Sequence, residues 1–318
     1  MRQVEQLETR RLLASFTASS VAELVGDINA ANAAGGSNTI TLAAGTTFKL
    51  SSAELPILAG DELTILGNGD TIERSTAAST PAFRLFGVAA GASLTLKNLT
   101  LSGGLAWGGA IASGGTLSLS GVTVQNCTAQ GQPGTTAVGG GIYSSGVLTI
   151  ENSSIRNNQA LGGDGIRPSL YEDSWGAPGL GGGVYVAGGS ASLTNTTLSS
   201  NLARGGNGVD GAVTHGKEGP PLVPGGVGGD GLGGAIYVAS GTVQLRGTTI
   251  TQNTAKGGTG DNSPKGFHRA PDGAGRGGGI YIAAPALVGL DSFTQAHTSG
   301  NTASTSDNDI FGSVTILA

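Results

Sequence analysis

Three observations predict an all-β fold, a right-handed parallel β-helix (solenoid) with an N-terminal capping α-helix. First, one stretch recurs. Its clearest copy is Gly233–Ala255, GGAIYVASGTVQLRGTTITQNTA, with relatives at Gly108–Ala129, Gly139–Ala160, Gly181–Ala203 and, longer, Gly277–Ala303. Self-similarity at a period of roughly 20–50 residues marks a solenoid. Second, apolar residues alternate within each copy, which is strand patterning with one buried face. Leu117, Leu148, Ala191 and Val243 form one inward column, Leu119, Ile150, Leu193 and Leu245 the next, and Val124, Ile155, Leu198 and Ile250 a third. Third, a corner column holds only Asn98, Gly121, Asn152, Asn195 and Gly247. Asn and Gly share a tolerance for positive φ, so the column predicts a left-handed turn in every rung.

One rung orders too many residues to be stable alone, and burial between neighbours closes the gap. Parallel strands joined by crossovers turn right-handed in nearly all cases. A second polar column, Asn158, Asn201, Asn253 and Asn301, is followed each time by x-Ala. Stacked Asn side chains bond from rung to rung and satisfy polar groups inside such a coil. Cys127 occupies the equivalent place in an earlier copy and reads as a small ladder member, not a nucleophile.

Taken in order, residues 1–18 read as a disordered N-terminal segment, and 19–318 as a single β-helix domain. Ser20 and Glu23 have capping-box spacing, Val21, Leu24, Val25, Ile28 and Ala31 make one apolar face, and Gly35-Gly36 ends it. This helix, about 20–34, is assigned as the cap over the open core. Repeats follow over about 39–304 and a terminal strand over about 310–318, which is expected to fold across the far end as a minimal cap. Asp307 and Asp309 are expected to place guarding charge beside that edge.

Insertions at 130–138, 161–180, 204–232 and 256–276 leave the rung length nearly constant when removed, so all four exit at one corner and stack on one side. They are Gly-rich, the composition of flexible spacers. They also hold Trp175, His215 and His268, which make that side a candidate binding face. The IY column carries Tyr143, Tyr185, Tyr237 and Tyr281, expected to point outward as a stacking ladder or as a platform for a ligand.

The GGAI/GGGIY and N-x-A signatures resemble the repeats of polymorphic outer-membrane proteins within the pectin-lyase-like β-helix superfamily. That resemblance covers Gly108 to about Ala303 and implies the β-helix fold, in a superfamily that holds lyases, hydrolases, adhesins and surface proteins. Leu7–Leu13, LETRRLL, is similar to the LEPR-XLL segment at the start of many bacterial surface proteins, departing from it at Thr9. This implies an extracellular or cell-envelope location.

Composition narrows the function. Net charge is −5 with no basic patch, which gives nucleic-acid binding no support. No run approaches the ~20 apolar residues of a membrane-spanning helix. Residues 205–213 and 225–233 fit a calcium nonapeptide loosely, making Asp210 and Asp230 weak calcium candidates, but they are not in tandem. No cofactor is expected. A glycosidase needs two carboxyl groups about 5–9.5 Å apart, and the repeat strands carry only scattered Glu151, Arg156, Arg246 and Asp291. The expectation is a non-catalytic surface or secreted scaffold, adhesin-like, with a polysaccharide or another surface protein as partner. The alternative is a lyase or hydrolase using acids in the insertions, such as Glu172, Asp173, Glu218, Asp261 and Asp272.

Overall fold

A computed structural model describes residues 14–166, 175–213, 222–223, 225–261 and 269–318. The chain is a parallel β-helix. One rung shows the plan: strands Gly231–Leu232, Ile236–Val238, Thr242–Arg246, Thr249–Thr251 and Thr254–Lys256 follow one another around the coil. Each stacks on its counterparts in the rungs above and below, so five parallel sheets of ten, eight, eight, five and four strands run along the axis. Register is exact to the residue. Leu117 pairs with Leu148, Leu148 with Ala191, and Ala191 with Val243. All three predicted inward columns are buried in one continuous core. On the flank between the five- and four-stranded sheets the interior thins to alanine, with Ala129, Ala137 and Ala160 forming a separate small cluster.

Helix α1 (Val21–Ala34) is N-capped by Ser20, whose hydroxyl accepts from the Glu23 amide at 3.2 Å. The Glu23 carboxylate reaches back one residue further than the capping box requires, to the amide and hydroxyl of Ser19 (2.6 and 2.7 Å), and these bonds hold its pKa below the usual value. Leu24, Ile28 and Ala31 are buried among the first rungs. Val25 is not; it is 37 % exposed, because the buried stripe is the narrow line at i, i+4 and i+7 and Val25 stands beside it. Asn32 fixes the helix to the edge of an eight-stranded sheet, donating to the Pro56 carbonyl at 2.8 Å and accepting from the Leu58 amide at 2.9 Å.

Three other expectations change. Residues 14–18 are not outside the fold: Ala14–Ala18 is a strand pairing in parallel with Gly36–Leu42, so the ten-stranded sheet begins before the cap. The extra length of the last repeat is a short helix, α2 (Ser292–Ala296), N-capped by Asp291. The terminal strand does not cross the end. Val314–Ile316 pairs with Leu287–Leu290 as one more in-register strand, with Leu287 and Ile316 exposed beside it. A tail whose alternation matches the sheet continues it, since in-register pairing satisfies more backbone groups than a crossing would.

The insertions leave after the five-stranded sheet and return at the four-stranded one, all on one flank. Their described roots are not spacers. They form a lattice of backbone bonds in which outgoing and returning segments alternate: Gly163 N donates to Thr135 O, Ala177 N to Gly163 O, Gly206 N to Ala177 O, Gly229 N to Gly206 O, Gly258 N to Gly229 O and Gly273 N to Gly258 O, all at 2.8–3.0 Å. Glycine is required here by proximity. A Cβ at Gly206 would stand 1.9 Å from the Gly163 carbonyl oxygen. The third insertion also carries a small antiparallel pair, Ala212–Val213 with Leu222–Val223.

Candidate functional site

The corner column is left-handed throughout. Asn98, Asn152 and Asn195 have φ of 52°, 49° and 49°, and Gly121 and Gly247 have 66° and 57°. Asp291 closes the column by accepting from the Gly247 amide at 2.9 Å. A second left-handed column was not read from the sequence: Gly103, Asn126, Asn157, Ser200, Gln252 and Gly300 all have φ between 54° and 72°. It lies one residue before the Asn ladder and aims that ladder into the core.

The ladder is a continuous relay of buried amides. Asn158 Oδ1 accepts from the Cys127 amide at 3.1 Å. Asn201 Oδ1 takes both the backbone and side-chain N–H groups of Asn158, Asn253 those of Asn201, and Asn301 those of Asn253, at 2.9–3.1 Å. Each Nδ2 also donates across the corner, as Asn201 does to the Ile155 carbonyl at 2.9 Å. The last acceptor is the Asp309 carboxylate, which takes both N–H groups of Asn301. Asp309 therefore terminates the ladder rather than guarding an edge. Cys127 is buried in this column and its thiol is pushed up to about 12 by that burial, so it carries no thiolate at neutral pH.

The tyrosines form an outward, half-buried ladder on one eight-stranded sheet. Tyr143, Tyr185, Tyr237 and Tyr281 stack with centroids 5.6, 5.1 and 5.0 Å apart and rings within 8° of parallel. Two members escaped sequence reading. Phe311 continues the stack beyond Tyr281 at 4.6 Å, with the Arg276 guanidinium 5.5 Å from its centroid, and Trp107 stacks on Tyr143 at 6.4 Å. Phe311 was legible as the Ile-aromatic pair of a divergent last repeat; Trp107 comes from a preceding turn and left no columnar signal. Burial raises the phenol pKa of Tyr185, and burial with the neighbouring phenols pushes Tyr237 up to about 12. Stacked rings cover one another's faces. The interior of the ladder therefore offers only ring edges and hydroxyls to a ligand.

Trp107 is the last ring of the ladder toward the N-terminus. The strand column that carries the tyrosines reads Tyr143, Ala112, Gly87, Pro56 in successive rungs in that direction. An open groove of about 400 Å³ is lined by Tyr143, Ala112, Gly87 and Leu58, with the Glu54 carboxylate lying beside Gly87. Glu54 and Arg84 line it as an ion pair at 2.8 Å, with side chains 42 % and 30 % exposed. A second groove, of about 450 Å³, lies on the outward face of the ten-stranded sheet. Hydroxyls line it, from Ser15, Thr39, Thr64 and Thr95, and Ser37 bonds there to Glu62. It has no aromatic wall.

Among the described residues the insertion side chains do not gather into one site. Trp175 is 58 % exposed. His215, His268, Glu172, Asp173 and Glu218 lie outside the described residues. The calcium candidate Asp230 accepts from the Ala274 amide at 2.7 Å, tying one rung to the next. Asp210 has a partner interaction of its own. Asp272 accepts from Arg269 and from the Gly260 amide, and the Arg269 bond lowers its pKa. Among the described residues no three His, Cys, Asp or Glu side chains converge as a metal site, and no helix is long and apolar enough to cross a membrane. The architecture defines a parallel β-helix solenoid. No family model matches the chain, and neither curated proteins nor solved structures give a match.

Proposed function

We infer that the chain is a non-catalytic binding scaffold, adhesin-like, of the cell surface or secreted fraction, and a member of the pectin-lyase-like superfamily with polymorphic outer-membrane-type repeats. One observation carries the reading: the described roots of four insertions are held on one flank by a backbone lattice continuous with the solenoid, so their bases stand in a row along it. Repeat proteins bind through such per-repeat insertions. The described insertion acids that tie rungs together, Asp164 to the Asn207 amide and Asp230 to the Ala274 amide, have a structural use there. The test is a panel of immobilised polysaccharides and surface-protein extracts, assayed together for retention and for new reducing or unsaturated ends. Retention without new ends is the expected result. Steady release of ends by the full chain would make it a lyase or hydrolase instead.

A further inference from the structure

We propose that the tyrosine ladder is a site of oxidative cross-linking, at which neighbouring rungs become joined through dityrosine. This goes beyond the binding-scaffold reading and does not depend on it.

The first ground is proximity. Tyr143, Tyr185, Tyr237 and Tyr281 are register partners in successive strands, which stand about 4.8 Å apart. Their centroids are 5.6, 5.1 and 5.0 Å apart and their rings 8°, 2° and 4° from parallel. The second ground is access. All four side chains are partly exposed. Stacking hides the ring faces and leaves the edges outward, and the edges carry the hydroxyls and the ortho carbons, where tyrosine is oxidised and couples. Tyrosine χ2 is a broad torsion, so two neighbouring edges roll toward each other without leaving a rotamer well. The third ground is confinement. Trp107 covers Tyr143 and Phe311 covers Tyr281. Neither of these rings is a phenol, so the coupling partners are the four tyrosines themselves.

The step needs a one-electron oxidant, for which a haem peroxidase with hydrogen peroxide is the chemical class. Tyr185 and Tyr237 hold their phenolic protons more tightly than free tyrosine, because of burial. Each phenol therefore gives up its proton, to water at the outer edge, together with its electron. Two neighbouring phenoxyl radicals then join by a new bond between their ortho carbons. The hydrogens displaced from those carbons move as protons to the oxygens and restore both hydroxyls. In sum the protein loses two hydrogens, and hydrogen peroxide takes them up to give two waters. Each link closes the chain between two rungs and so raises the melting temperature.

The experiment treats the dilute full chain with a haem peroxidase and hydrogen peroxide. Dityrosine fluorescence, gel mobility, thermal melting and tryptic mass spectra are then read. Arg156, Arg204 and Arg246 lie between the four tyrosines, so each falls on its own tryptic peptide. Wild type should gain dityrosine while staying monomeric, melt at a higher temperature, and yield joined peptides of register neighbours lighter by two hydrogens. Tyr237→Phe should keep only the Tyr143–Tyr185 link. Tyr185→Phe with Tyr237→Phe retains every ring of the stack but leaves Tyr143 and Tyr281 three rungs apart, and should lose the intramolecular product. Dityrosine found only in oligomers, or formed equally by the double variant, would overturn the proposal. So would oxidation of wild type without joined peptides. The binding reading is tested apart from this, by retention of the untreated chain.

Discussion

The wall of the solenoid and its insertion flank face the same demand, since every rung must satisfy its backbone against the next. They meet it differently. The wall has side chains on both faces: an apolar core and an Asn relay inside, a tyrosine stack outside. The flank is built almost without side chains. Gly163, Gly206, Gly229 and Gly258 bond through backbone alone, at separations where a Cβ would lie about 2 Å from a neighbouring carbonyl. Polar satisfaction in the wall depends on residue identity, and in the flank on the absence of a side chain.

The comparison breaks most sharply at the ladder. Asn201→Leu keeps the volume but orphans the Asn158 backbone and side-chain N–H groups from their shared acceptor, and the Ile155 carbonyl from its donor. Each buried orphan costs about 1–3 kcal/mol, so a loss of about 4 kcal/mol is expected in denaturant melts. A loss under about 1 kcal/mol would mean that the relay is ornamental. In the flank, Gly206→Ala should cost about 2–3 kcal/mol by overpacking. Its effect should be local. Hydrogen exchange should speed up around Gly163, Gly206 and Gly258 while Ile150, Leu193 and Leu245 stay protected. If the wall opens with it, the two regions are one cooperative unit.

A smaller effect has the opposite sign. Ser113 and Ser144 point into the core in a column that otherwise reads Ile57, Val88, Val186, Val238 and Ile282, and their hydroxyls are buried without partners. Ser144→Val should stabilise by about 1 kcal/mol, since it removes an unsatisfied group and adds apolar burial. Thermal melting decides it, and a lower midpoint would show that the site cannot hold the extra carbons.

How far the sequence reaches follows from the same contrast. The inward columns, the Asn relay and the first corner were legible because each residue type in them has one physical use. The second corner was hidden by Ser200 and Gln252, which adopt positive φ without being Gly or Asn. Their strain, about 1–2 kcal/mol each for a left-handed residue, is carried by the bonds on either side. The glycine lattice was misread as spacer because segments without side chains have no periodicity to count. The groove was illegible for another reason. Pro56, Gly87 and Ala112 mean nothing until register places them in the column of Tyr143.

The finest test of the wall is its alkaline limit. The Tyr237 phenol is pushed up to about 12, first by burial and then by Tyr185 and Tyr281 on either side. Its charged form is the phenolate, so the folded state holds the proton more tightly than an unfolded chain, in which tyrosine ionises near ~10. Stability linked to this group is complete below the unfolded value, and declines as pH rises from there through about 12. Tyr237→Phe keeps the ring and removes the proton. At pH ~7 its melting temperature should match wild type within a degree or two, because stacking between Tyr185 and Tyr281 is retained. At pH ~11 wild type should have lost ground that the variant keeps, and phenolate absorbance should show one late-titrating tyrosine fewer. Equal losses at pH ~11 would mean that water reaches the ladder between its rings. The stack would then be a surface ornament on the wall, and a flank built without side chains would be the drier of the two.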